Sequence, residues 1–185
     1  MNNFNRVSRR TLVLVVLALF LATTTQAYHT GIGGDSDGEG DVSLAGCTCH
    51  AEEPDNSVTV VLDHVPFHYE AGKSYPMTLQ LIGGAEIGGA QTGGFAMRVT
   101  QGILAAGVDS ESLVQNWEDE ENTLTHTDSG SKTEDRTWYL IWTAPETGSG
   151  PVNFWIAGNT VNGDAIPSAL DRWNRLTVTV DEGAD

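Results

Sequence analysis

The 185-residue sequence predicts an all-β fold, an antiparallel β-sandwich preceded by an irregular Gly/Asp-rich leader. Three observations predict it. Short segments rich in β-branched and aromatic residues recur between residues 57 and 180, separated by Gly, Pro, Asn and Asp clusters. No stretch carries a convincing helical period. The tryptophans fall inside the strand-like segments, where Trp138, Leu140 and Trp142 alternate onto one face, as do Phe154 and Ile156.

In chain order, residues 1–27 read as an export signal. Arg6, Arg9 and Arg10 form a basic start, residues 12–22 an apolar run too short to span a bilayer comfortably, and residues 25–27 a small-residue cleavage site. Cleavage after Ala27 leaves 158 residues, enough for one domain with a substantial core, and no stable membrane span. Residues 28–55 are the leader, glycine-rich and acidic, without apolar periodicity and therefore expected to be extended and flexible. Residues 56–181 carry the strands. These are expected at 57–63, 75–82, 94–100, 123–127, 136–143, 152–157 and 173–180, with at most one helical turn around Leu113 to Trp117. Trp138, Trp142 and Trp155 are expected in the core.

Charge excludes whole classes of partner. The chain carries 25 carboxylates against 9 Lys and Arg, a formal −16, and loss of the signal's three arginines takes it to −19. Such a surface repels nucleic acid and anionic lipid, and is the solvated coat of a protein in salty water.

Chemistry concentrates in Gly46-Cys47-Thr48-Cys49-His50, which holds both cysteines of the chain. Two thiols and an imidazole this close can grip copper or zinc, or hold haem c through thioether bonds with His50 as axial ligand. Covalent haem usually takes two residues between the cysteines. One residue shifts the second sulfur by about a third of a helical turn. A Cys47–Cys49 disulfide is the remaining alternative, in a small strained ring. His126 in a strand, and His29 beside the expected mature N-terminus, are the candidates for a further ligand. Two segments could take calcium. Asp35, Asp37 and Glu39 match the first half of an EF-hand loop, although Gly46 stands where the bidentate glutamate belongs. Asn159, Asn162 and Asp164 offer oxygens in an expected inter-strand loop that ordinary turn chemistry also explains. No nucleophile elbow or recognisable acid pair is present, so no enzyme activity is expected.

Five motifs stand in a recognisable order: Tyr69-Glu-Ala-Gly-Lys-Ser-Tyr75, Gly93-Gly-Phe95, Leu124-Thr-His-Thr127, Trp142-Thr-Ala-Pro145 and Ala157-Gly-Asn-Thr-Val-Asn-Gly-Asp164. Together they resemble the choice-of-anchor V family of secreted prokaryotic proteins, itself similar to the Reeler domain of extracellular animal proteins, over about Gly31 to Val180. The resemblance implies an Ig-like sandwich at the cell surface, after a Gly-rich segment that usually ends in Cys-x-x-Cys-His. This chain has Cys-x-Cys-His and ends without an anchoring tail. Two function classes follow. One is an extracytoplasmic haem or copper protein passing electrons to redox partners. The other is a non-catalytic binding, adhesion or structural module that contacts other cell-surface proteins.

Overall fold

Period-two alternation drives the architecture, because each strand buries one row of side chains and exposes the other. The computed structural model describes residues 28–33 and 41–184. The export signal expected at 1–27 and the calcium ligands expected at Asp35, Asp37 and Glu39 lie outside the described residues. In chain order the elements are a one-turn helix α1 (Val42–Ala45) and strands β1 (Val58–Asp63), β2 (His68–Tyr69), β3 (Ser74–Gly83), β4 (Gly93–Val99) and β5 (Ile103–Ala106). After these come β6 (Val114–Gln115), β7 (Thr123–His126), β8 (Thr137–Thr143), β9 (Val152–Thr160) and β10 (Arg172–Glu182).

The strands form two stacked sheets, one of four strands in the order β1-β3-β8-β5 and one of six in the order β2-β10-β9-β4-β7-β6. Every pairing is antiparallel except β2 with β10, where His68 and Tyr69 lie parallel to Asp181 and Glu182. The seven strands expected from the sequence are all present, with ends shifted by up to three residues. The additions β2, β5 and β6 are short segments at sheet margins. The helical turn expected at 113–117 resolves into β6 and a 3-10 turn at Trp117–Asp119.

Between the sheets, Met77, Leu79 and Leu81 of β3 and Trp138, Leu140 and Trp142 of β8 meet Phe95, Met97 and Val99 of β4 and Phe154 and Ile156 of β9. Trp142 packs edge-on against Phe154 at 5.0 Å and against Tyr69 at 5.5 Å. Buried polar tips are satisfied: Trp138 Nε1 donates to the Gly130 carbonyl at 3.0 Å and Tyr69 Oη to Gly150 at 2.7 Å. Trp155 departs from expectation. Its neighbours Phe154 and Ile156 point into the sandwich, so Trp155 stands on the opposite face, partly exposed.

Arg136 is buried and takes a positive φ of 52°. Its guanidinium donates to the carbonyls of Thr92, Gly83 and Ala85 at 2.7–2.8 Å, stitching the ends of the 84–92 loop to the start of β8. Burial holds its pKa below the usual arginine value.

Candidate functional site

The outward face of the six-stranded sheet is built from small residues and a few anchors. On β9 the outward positions are Trp155, Ala157 and Asn159, on β4 Gly94, Ala96 and Arg98, and on β10 Trp173 and Arg175. Ala96 and Ala157 point away from the core, yet they are 1% and 0% exposed. The leader covers them, with α1 packed on β9 and β4. Residues 41–55 are therefore docked, not extended and free as the composition suggests.

The docking is local and specific. Asp41 caps α1 by accepting from the Ser43 amide at 3.0 Å and pairs with Arg98, which also meets Glu120 at 2.9 Å. Gly46, at φ +99°, lies on the indole of Trp173, and a Cβ there would stand 2.2 Å from Trp173 Cζ3. Only glycine satisfies both conditions. Trp173 Nε1 donates to the Ala51 carbonyl at 2.7 Å, and the Asp55 amide donates to the Trp173 carbonyl at 2.7 Å. Residues 28–33 are held separately, with the Ile32 amide donating to Thr125 Oγ1 at 3.0 Å and Gln115 Nε2 to the Thr30 carbonyl.

Between these two leader segments and the sheet lies a cavity of about 560 Å³, lined by Cys47, Cys49, His50, His29, His126 and Asn159 among others. The sequence placed the first five as candidate ligands without indicating that they share a wall. The volume falls in the range of small-molecule and cofactor sites and far exceeds what one ion needs.

His50 is the best-oriented of these side chains. Its Nδ1 lies 2.7 Å from Asp171 Oδ2, and Asp171, 1% exposed, also accepts from the amides of Ser168 at 3.1 Å and Asn162 at 3.2 Å. A carboxylate behind an imidazole fixes the ring and its tautomer, and leaves Nε2 as the free end. Nothing in the sequence marked Asp171, which is 121 positions from His50.

His126 is buried and differently occupied. Nδ1 lies 3.0 Å from the Phe95 amide and 3.2 Å from the Phe95 carbonyl, and Nε2 lies 3.2 Å from the Tyr28 carbonyl. Burial pulls its pKa below the ordinary histidine value, against the opposing effect of the backbone hydrogen bonds. His126 thus bridges the Phe95 backbone of β4 and the leader's Tyr28 carbonyl. His29 is half exposed, 3.9 Å from Asp128.

Both cysteines are free thiols. Burial pushes the Cys47 thiol up to about 12, with the neighbouring Cys49 adding to the shift. A thiol so disposed stays protonated at neutral pH and is neither an activated nucleophile nor a ready thiolate ligand. Among the described residues no three His, Cys, Asp or Glu side chains converge as a metal-holding group. Cys47, Cys49 and His50 share the cavity wall without closing on one point.

The second calcium candidate is divided. Asn159 lies within β9, not in a loop. Asn162 and Asp164 bond to one another, Nδ2 to Oδ2 at 3.0 Å, and Asp164 Oδ1 accepts from the Ile166 amide at 2.9 Å. Those contacts hold the 162–166 turn, and the same bonds to Asn162 and Ile166 keep the Asp164 carboxyl below its usual range.

Of the features a haem site would need, the structure has a histidine with a carboxylate behind its ring. The one-residue cysteine spacing is the point of departure. Among the described residues no helix is long and apolar enough to cross a membrane.

Fold and site together define a β-sandwich whose own leader roofs a cavity on one sheet. No family profile matches the chain and no curated protein matches it. Among solved structures it is similar to the Reelin-N domain of F-spondin, at 17% identity over 71% of this chain and 90% of that one, TM-score 0.45. It is also similar to a human F-spondin reeler domain fragment (17% identity, 71% and 91%, TM-score 0.45) and to a conjugative transposon lipoprotein from Bacteroides eggerthii (14%, 68% and 98%, TM-score 0.38).

Proposed function

We propose that this chain is a non-catalytic, extracytoplasmic binding module, exported by its N-terminal signal and acting at the cell surface. Its leader and sandwich together form the binding site. The observation that carries the reading is the docked leader. Gly46 on Trp173, the Ala51 and Asp55 hydrogen bonds, and α1 on β9 turn an acidic, glycine-rich segment into the roof of a cavity. The high Cys47 pKa argues against a thiolate nucleophile, which supports binding over catalysis. The test is a thermal melt and a titration with small apolar dyes of the chain with residues 28–55 deleted, beside the intact mature chain. The deletion should fold as a sandwich and lose the binding of small apolar dyes. A deletion that binds such dyes as well as the intact chain refutes the reading.

A second reading is favoured by one observation, the His50–Asp171 pair. Haem would be held by Cys47, Cys49 and His50, with His126 available as a further ligand once it leaves the Tyr28 carbonyl. When bound it would supply reversible one-electron transfer, and the partners would be extracytoplasmic redox proteins. Asp171 would orient the imidazole, and the apolar wall would limit water. Copper or zinc at Cys47, Cys49 and His50 requires both thiols to lose protons, so its uptake would be favoured at high pH. Protein expressed in its exporting host and then denatured in acid should keep a Soret band under the haem reading, and show none under the first.

A further inference from the structure

One polar atom in the cavity wall lacks a hydrogen-bond partner among the described residues. Asn159, 7% exposed, carries an Oδ1 that is fully buried and without a hydrogen-bond partner among the described residues. Leaving such an acceptor unpaired costs about 1–3 kcal/mol, a cost that a valine at this strand position would avoid. Across the ladders Asn159 faces Gly94 of β4 and Trp173 of β10. Gly94 is forced by the site itself, since a Cβ there would stand 2.3 Å from Cε1 of His126. The glycine on one side of the amide thus makes room for the His126 ring, and Trp173 packs on the other side under Gly46.

The rest of the lining sets the ligand's character. Ile32, Val42, Ala96, Val161 and Ile166 make much of it apolar. Asp164 and Asp171 are in the wall, and among the described residues no Lys or Arg is. An anion entering would meet two carboxylates and no Lys or Arg, beneath a chain of formal charge −16.

We propose that the cavity binds a neutral, largely apolar ring compound that donates one N–H or O–H hydrogen bond to Asn159 Oδ1. The proposal rests on the reading of the leader-roofed cavity as a binding site. The ligand's donor completes the unpaired amide, its rings replace water against the apolar wall, and two carboxylates without a Lys or Arg disfavour carboxylates and sulfonates.

The test titrates the full mature chain with three fluorescent probes: 1-aminoanthracene, anthracene, and the anionic 8-anilinonaphthalene-1-sulfonate. The amine should bind saturably with a blue shift, anthracene roughly 3- to 10-fold more weakly, as the loss of one hydrogen bond requires, and the sulfonate not at all. Asn159→Leu should bring the amine to anthracene's affinity and leave anthracene unchanged. Should that variant not fold, the amine–anthracene comparison on the unaltered chain decides. Equal affinity for the two ring compounds, or tight sulfonate binding, overturns the inference while the cavity reading stands. Binding of none of the three overturns both. A Soret band that survives denaturation also overturns the inference, in favour of haem.

Discussion

Gly46→Ala should open the leader without unfolding the sandwich. Two costs act at this residue. Its backbone, at φ +99° and ψ −179°, lies in a region that is essentially glycine's alone, which costs about 1–3 kcal/mol for alanine. The new Cβ would also stand 2.2 Å and 2.3 Å from two carbons of the Trp173 ring, so the indole or the leader must move. Trp173 is held in the sheet by its ladder pairing with Asn159 of β9, so the leader is the part that yields. Taking the strain alone, the open population should rise roughly 5- to 150-fold. The core tryptophans Trp138 and Trp142 lie between the sheets, away from this contact. Three assays read the effect. The Asp55 amide, bonded to the Trp173 carbonyl, should lose hydrogen-exchange protection while amides of β3 and β8 keep theirs. Proteolysis should cut within 41–55. Tryptophan emission should shift to the red as Trp173 meets water. Unchanged exchange at Asp55 together with unchanged proteolysis would refute the docked leader, and with it the shared cavity.

Arg136→Met should destabilise the whole domain, because the carbonyls of Gly83, Ala85 and Thr92 lose the guanidinium at once, with Thr92 keeping a second donor in the Val161 amide. Offset by release of a buried charge, the net loss should be about 2–4 kcal/mol, read as a fall of roughly 5–15 °C in melting temperature. His126 makes stability depend on pH. Its folded pKa lies below the unfolded value of 6.5, so the unfolded chain takes up the proton first as pH falls. Stability on this account is fully present above 6.5 and is lost as pH drops below it towards the lowered folded value. His126→Gln should remove that part of the acid loss, so a melting-temperature profile as steep as the parent's below pH 6.5 would show that another group is responsible.

Much of the sandwich was legible in the sequence because strand alternation is a local property. Met77, Leu79 and Leu81, or Trp138, Leu140 and Trp142, announce a buried face by spacing alone, and the glycine-rich connections mark where strands end. The short strands β2, β5 and β6 were not legible. Two residues, or a segment such as Ile-Leu-Ala-Ala, carry no period, and their pairing comes from the neighbour strand. The same limit explains Trp155, whose place in a strand could be read but whose face depends on which neighbours point inward.

The sequence by itself determined the chemistry on offer, two thiols and an imidazole within four residues, a lone histidine in a strand, and a strongly acidic surface. Only the tertiary structure decided which groups meet. Asp171 reaches His50, Tyr28 reaches His126, and Gly46 rests on Trp173 across separations of more than ninety residues. Composition made the leader look free because glycine and aspartate have no apolar surface of their own to bury. It docks because the sheet face below it is built of Gly94, Ala96 and Ala157, small enough for backbone to approach, with Trp173 and Arg98 placed to hold what arrives. That complementarity belongs to two segments at once, so neither one's sequence reveals it.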